Sequence, residues 1–163
     1  MVHQIVPMQR RHVAGFHAVL DGVAREGRFL AMLEAPPLAR VRRFVLDGLR
    51  VGRPQFVALA DGQVVGWCDV SRKEYETLRH SGVLGMGVAR SHRGRGIGRD
   101  LLAATLEAAT HCEISRVELV VRVDNAAAIA LYRRFGFAEE GRNRRALRVQ
   151  GRYCDTLQMA RLA

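Results

Sequence analysis

The stretch Arg93-Gly94-Arg95-Gly96-Ile97-Gly98 sets two guanidinium groups and three glycines between an apolar run and a helix-like run. Glycine lets a backbone approach a ligand closely and adopt dihedrals closed to other residues. Successive amide N–H groups can then converge at a helix start, where the helix dipole also favours an anion. Each charge-assisted hydrogen bond to a phosphate is worth about 1.5–3 kcal/mol, and Arg93 and Arg95 can add forked contacts. No Gly-Lys pair exists, so there is no Walker A loop. The sixth position from Gly94 is Arg99 and from Gly85 is Arg90, so neither run completes the dinucleotide fingerprint GxGxxG. By itself, the stretch fits both an anion cradle and a glycine-rich connection with solvated arginines.

A second segment, "NAAAIALYRRFGF" (125–137), places an amide and a phenol at a chemically useful spacing. Seven residues at 100° each fall about 20° short of two full turns, so Asn125 and Tyr132 share one helix face. Ala128 and Ile129 lie between them, and the small Ala128 leaves room for a thin ligand. Ala127, Leu131 and Phe135 read as the other, core-facing stripe. Without further context Asn125 is a helix N-cap and Tyr132 an amphipathic core residue.

With both segments in this order, the chain resembles the GNAT superfamily of N-acetyltransferases from about Phe56 to Leu162. The family's acetyl-CoA motif, Arg/Gln-x-x-Gly-x-Gly/Ala, is matched by Arg93, Gly96 and Gly98. Its second segment is matched by Asn125, Tyr132 and the Phe135-Gly136-Phe137 close. The resemblance implies an α+β fold whose mixed, mostly antiparallel central sheet of about seven strands is flanked by about four helices and splayed at its centre. It implies acetyl-CoA as co-substrate and no metal. The CoA pyrophosphate is expected at Arg93, Gly94, Arg95, Gly96, Ile97 and Gly98. Pantetheine is expected to pair with the exposed backbone of Met86, Gly87 and Val88 and with Asn125 beside Ala128. Tyr132 is expected to be catalytic, protonating the departing thiolate.

Direct attack of an amine on the thioester needs a deprotonated amine, hence a base or a water chain. Members of the family that acetylate ribosomal-protein N-termini carry a Glu where this chain has Val120. Histone-type members place one on the strand before the glycine turn, and "GVLGMGV" has none. Glu118 alternates with apolar neighbours and reads as structural; Asp69, Glu74 and Glu76 are candidate bases near the central strands that read rather as solvated charges, and none is assigned as catalytic. The ending "GRYCDTLQMARL" resembles bacterial members that acetylate small amines, on Gly151, Tyr153, Asp155 and Met159. That likeness implies a small-molecule amine acceptor, such as an amino acid, held between "REGRFLAMLEAPPL" and the last hairpin, with Phe29, Leu30 and Tyr153 lining the pocket. A protein N-terminal acetyltransferase, an aminoacyl-tRNA acetyltransferase and a non-catalytic CoA-binding module remain as other readings.

These residues need a scaffold, and the patterning supplies one. "QIVPM" reads as a strand. Val13, Phe16, Leu20 and Val23 recur at helical spacing within Arg11–Glu26. Pro37 can open a second helix with Leu38, Val41, Val45 and Leu49 on one face. Asp61-Gly62 between two apolar runs is a hairpin signal. A charged loop from Arg72 to His80 precedes the glycine-interrupted strand "GVLGMGVA", and Ile97–Ala109 is a helix. "RVELVVRV" is a strand, Asn125–Phe135 a helix closed by Gly136, and "RALRVQGRYCDTLQMARL" a hairpin turning at Gln150-Gly151.

The chain of 163 residues fits a single N-acetyltransferase domain, 1–163. No run of about 18 apolar residues suggests a membrane span, and no secretory leader is visible. Cys68, Cys112 and Cys154 are odd in number and widely spaced, which points to a reducing cytoplasm rather than a disulfide framework or zinc site. The net charge of +10 invites a nucleic-acid partner. Lys73 is nevertheless the only lysine among 26 basic residues, and the arginines are spread along the chain, so the reading is against nucleic acid. Homodimerisation stays open.

Overall fold

A computed structural model describes residues 2–163. Among the described residues it contains strands β1 (His3–Pro7), β2 (Gln55–Ala60), β3 (Gln63–Arg72), β4 (Ser81–Val88), β5 (Arg116–Arg122), β6 (Ala138–Val149) and β7 (Arg152–Leu162). The α-helices are α1 (Val13–Arg25), α2 (Leu38–Val51), α3 (Ile97–His111) and α4 (Ala126–Arg134). The strands form one sheet in the order β1-β2-β3-β4-β5-β7-β6. Neighbours are antiparallel except β4 and β5, whose parallel pairing requires a crossover, supplied by α3. This is the expected α+β class, with the expected mixed and mostly antiparallel sheet.

Helices cover both faces. Phe16, Leu20 and Val23 of α1 and Val41 and Val45 of α2 pack with Val57 and Trp67 on one side. Leu101, Leu102 and Leu106 of α3 and Ile129 and Tyr132 of α4 pack with Cys68, Val70, Leu84, Leu119 and Met159 on the other. Strand alternation sorts β4 accordingly: Leu84, Met86 and Val88 join the α3 side, while Gly85 and Gly87 face the α1–α2 side opposite Asp69 and Trp67. The Asp61-Gly62 turn follows the reading above, with φ of 49° and 75°.

Three local expectations shift. In α2 the buried stripe is Val41, Val45 and Gly48, while Leu38 and Leu49 are exposed. In α4 the stripe assignment shifts: Ile129 and Tyr132 are buried and Ala127 is exposed, while Leu131 and Phe135 stay half-buried against the core, because the helix turns its Tyr132 face onto the sheet. β6 starts at Ala138, well before "RALRV". An edge strand exposed over most of its length carries no apolar alternation by which to recognise it.

Candidate functional site

The feature that makes a site is a fork in the sheet. β4 and β5 pair only from Ser81–Arg116 to Val83–Glu118. Beyond that point β4 follows β3 to Val88 and β5 follows β7 to Arg122. The fork opens into a cleft of about 460 Å³. Its walls are Leu84 to Val88 on β4, Leu119 to Val121 on β5, and Asn125, Ala127, Ala128, Leu131 and Tyr132 around α4. It also meets Gly94, Gly96, Ile97 and Gly98 of the turn before α3, and Phe29 and Leu30 of the loop after α1.

Gly94 and Gly96 have φ of 74° and 81°, left-handed values that favour glycine, and Gly96 is the N-cap of α3. A Cβ on Gly94 would meet nothing within 4 Å, so the turn is open. Backbone amides starting a 15-residue helix therefore face the cleft, an arrangement suited to a diphosphate.

Arg93 departs from its expected role. Its Nη atoms donate to both Glu26 carboxylate oxygens at 2.8 and 2.5 Å, and its Nε donates to the Val88 carbonyl at 2.9 Å. Its guanidinium carbon lies 4.6 Å from the Phe29 ring centroid. The side chain thus ties the cradle to the end of α1 instead of forking onto phosphates, though Arg93 still borders the cleft. Arg95 is exposed and outside the lining, which has His92 and Arg99 instead. Arg99 sits three residues after Gly96, in the first helical turn, a position that the spacing alone could have flagged.

Asn125 caps α4 as a plain helix reading expects, its Oδ1 accepting from the Ala128 amide at 3.2 Å. Tyr132 is 8% exposed yet lines the cleft, its ring centroid 5.6 Å from that of Phe137. Burial pushes its phenol well above the usual range, so it stays protonated at any physiological pH.

Other charges fall into place. Glu118 is structural as expected, pairing with Lys73 at 2.5 Å and Arg116 at 3.2 Å at the closed end of the fork. Asp69 is not a solvated charge: it is buried beneath the α1–α2 side. Tyr153 does not line an acceptor pocket. It is 55% exposed, flanked by Arg145 and Arg148 at 5.0 and 5.6 Å. It alternates onto the face opposite Cys154 and Arg152, whereas Val149, cross-strand from Arg152, meets the loop after α1. A Cβ on Gly27 would lie 3.7 Å from Val149, and Arg122 donates to the Gly27 carbonyl at 3.1 Å. Asp155 serves the hairpin itself, accepting from the Arg145 amide and Arg142 Nε across the irregular stretch of β6.

Comparison with known proteins places this architecture. The model of the acetyltransferase (GNAT) family matches residues 15–137. An L-amino acid N-acetyltransferase (AaaT) of Escherichia coli is 33% identical over 114 residues, 69% of this chain and 70% of that protein. The N-alpha-acetyltransferase RimI of Mycobacterium tuberculosis is 42% identical over 94 residues, 58% of each. A ribosomal-protein-alanine N-acetyltransferase structure from Brucella melitensis superposes with a TM-score of 0.92 at 29% identity, covering 98% of this chain and 99% of that one. The chain belongs to the GNAT acetyltransferase family, and acetyl-CoA is its co-substrate.

Proposed function

We propose that residues 1–163 act as one N-acetyltransferase domain that transfers acetyl from acetyl-CoA to the primary amine of a small molecule, an amino acid or close analogue, within a ternary complex. In this reading the amides around Gly94, Gly96, Ile97 and Gly98 hold the pyrophosphate. Met86, Gly87 and Val88, left without β5 partners by the fork, pair with pantetheine. Asn125, its Oδ1 spent on the cap, offers its Nδ2 to a pantetheine carbonyl, with Ala128 alongside. Tyr132 gives its proton to the thiolate.

The observation that carries the small-acceptor reading is the closure at Gly27. There the loop after α1 meets Val149 of the last hairpin and Arg122 of β5, which anchors the loop that carries Phe29 and Leu30 onto the cleft. Phe29 and Leu30 make it partly apolar. Arg28 on the loop and Arg152 beside Val149 are exposed guanidinium groups suited to pairing with a substrate carboxylate. Likeness to the E. coli amino-acid enzyme agrees with this. Likeness to RimI favours a second reading, acetylation of a protein N-terminus, against which Val120 stands in place of that group's Glu. The test is competition among free amino acids, short peptides and aminoacyl-tRNA at equal concentration. Higher kcat/KM for amino acids is the expected result, and preference for peptides or tRNA overturns the small-acceptor reading.

A further inference from the structure

We propose that Asp69 is the proton acceptor for the attacking amine, reached through the side-chain-free position of Gly85 on the α1–α2 side of the fork. The inference rests on the ternary-complex reaction above and supplies the base that the usual family positions lack here.

Asp69 and Gly85 are direct cross-strand partners, and Gly85 lines the cleft. Gly85 is not among the glycines with positive φ, so its backbone conformation does not demand glycine. A Cβ built there would meet Asp69 Oδ1 at 3.4 Å and no other atom within 4 Å. With no side chain at Gly85, only the glycine backbone stands between the Asp69 carboxylate and the cleft that Gly85 lines. Oδ2 is held by the Ser71 hydroxyl at 3.3 Å, which leaves Oδ1 as the oxygen turned toward Gly85.

Asp69 and Tyr132 sit on opposite faces of the sheet. Asp69 alternates with Trp67 onto the α1–α2 side, whereas Tyr132 packs on the α3 side. The two groups can therefore serve separately as proton acceptor and proton donor. The amine lone pair forms the C–N bond while the carbonyl pair moves onto oxygen. The N–H proton passes to Asp69 Oδ1, directly or through one water. The oxygen pair returns, the C–S bond breaks, and the sulfur takes the Tyr132 proton, giving the amide and CoA thiol. Solvent then removes the proton from Asp69 and restores the one on Tyr132.

Burial pushes the Asp69 carboxyl up to about 7, opposed by the Arg53 charge and the Ser71 hydrogen bond. Around it, Arg53 enters from the turn after α2, β2 presents the neutral Gln55, β3 presents Ser71, and β4 presents Gly85. The Cys68 thiol belongs to the other face, and burial pushes it well up, so it remains neutral.

The experiment is the pH profile of kcat/KM for the wild type and Asp69→Asn, with whichever amine is acetylated fastest. Preference for peptides then refutes the small-acceptor reading without touching this one. Acetyl-CoA hydrolysis, with water in the amine's place, gives the same comparison with no amine at all. The wild type should lose about tenfold per pH unit below about 7. In the hydrolysis assay, where no amine titrates, Asp69→Asn should lack that limb; it should also lose about 10²-fold or more in kcat near pH 8 and bind acetyl-CoA normally. The raised folded pKa means that folded protein holds an extra proton between about pH 4 and 7, so wild-type stability falls as pH rises through that window. Asp69→Asn should escape this fall and be at least as stable as wild type at pH 8, which separates a proton-transfer role from a structural one. A wild-type profile flat from pH 6 to 8, or an Asp69→Asn enzyme with wild-type kcat at pH 8, overturns the proposal.

Discussion

The Glu26–Arg93 clamp joins residues 67 apart in sequence, and removing Glu26 tests whether it organises the site. In Glu26→Ala, Arg93 keeps its Val88 carbonyl and its Phe29 ring but loses a two-pronged carboxylate. The Arg93 and Glu26 side chains are 31% and 19% exposed, so the pair lies between a surface bridge, worth about 0–1 kcal/mol, and a buried one, whose breakage costs about 3–5 kcal/mol. A loss of about 2 kcal/mol is expected, which for a chain of this size lowers Tm by about 4–8 °C. Urea denaturation of Glu26→Ala, Arg93→Gln and the double variant should give a coupling energy of about 1 kcal/mol or more. The loop carrying Phe29 and Leu30 loosens at the same time, so KM should rise for both acetyl-CoA and the acceptor. The pH dependence has a definite sign. Hydrogen bonds from Arg93 hold the Glu26 carboxyl below its ordinary 4.5, so the pair's contribution is complete above that pH and lost as pH falls through the lowered value. Glu26→Ala should therefore lose less stability on acidification than wild type. A Tm within about 1 °C of wild type, or additive single and double variants, would refute the clamp.

Two further outcomes test the donor half of the site. Gly96→Glu puts a charged side chain at a left-handed position facing the cradle. Acetyl-CoA affinity by calorimetry should fall at least tenfold, the equivalent of about one charge-assisted hydrogen bond, in a protein that remains folded; unchanged affinity removes the cradle assignment. Tyr132→Phe deletes one hydroxyl with little loss of packing, so kcat should fall on the order of 10²-fold with acetyl-CoA binding nearly unchanged. Near-normal turnover would leave the tyrosine as a packing residue.

What could be read from the chain alone was what local chemistry dictates. Asp61-Gly62 makes its hairpin because those two residues tolerate positive φ. Gly96 and Gly136 start and stop helices for the same reason. Val13, Phe16, Leu20 and Val23 mark the buried stripe of α1 because helical periodicity is intrinsic to the backbone. The glycine-arginine turn and the Asn125–Tyr132 spacing carried the family, hence the fold and the donor. Tertiary structure decided matters of partner and face. Arg93 looks like a phosphate ligand until α1 brings Glu26 to it. In α4 both stripes are apolar enough to be core, so the choice between Tyr132 and Ala127 falls to whichever face the sheet meets. Asp69 resembles any strand carboxylate until β2 and β4 flank it and burial removes water from around it. Tyr153 is turned away from the acceptor by strand parity, which depends on a register that residues in the partner strand set. Dihedral preference and periodicity act within a few residues, whereas desolvation and ion pairing depend on groups brought together from distant parts of the chain.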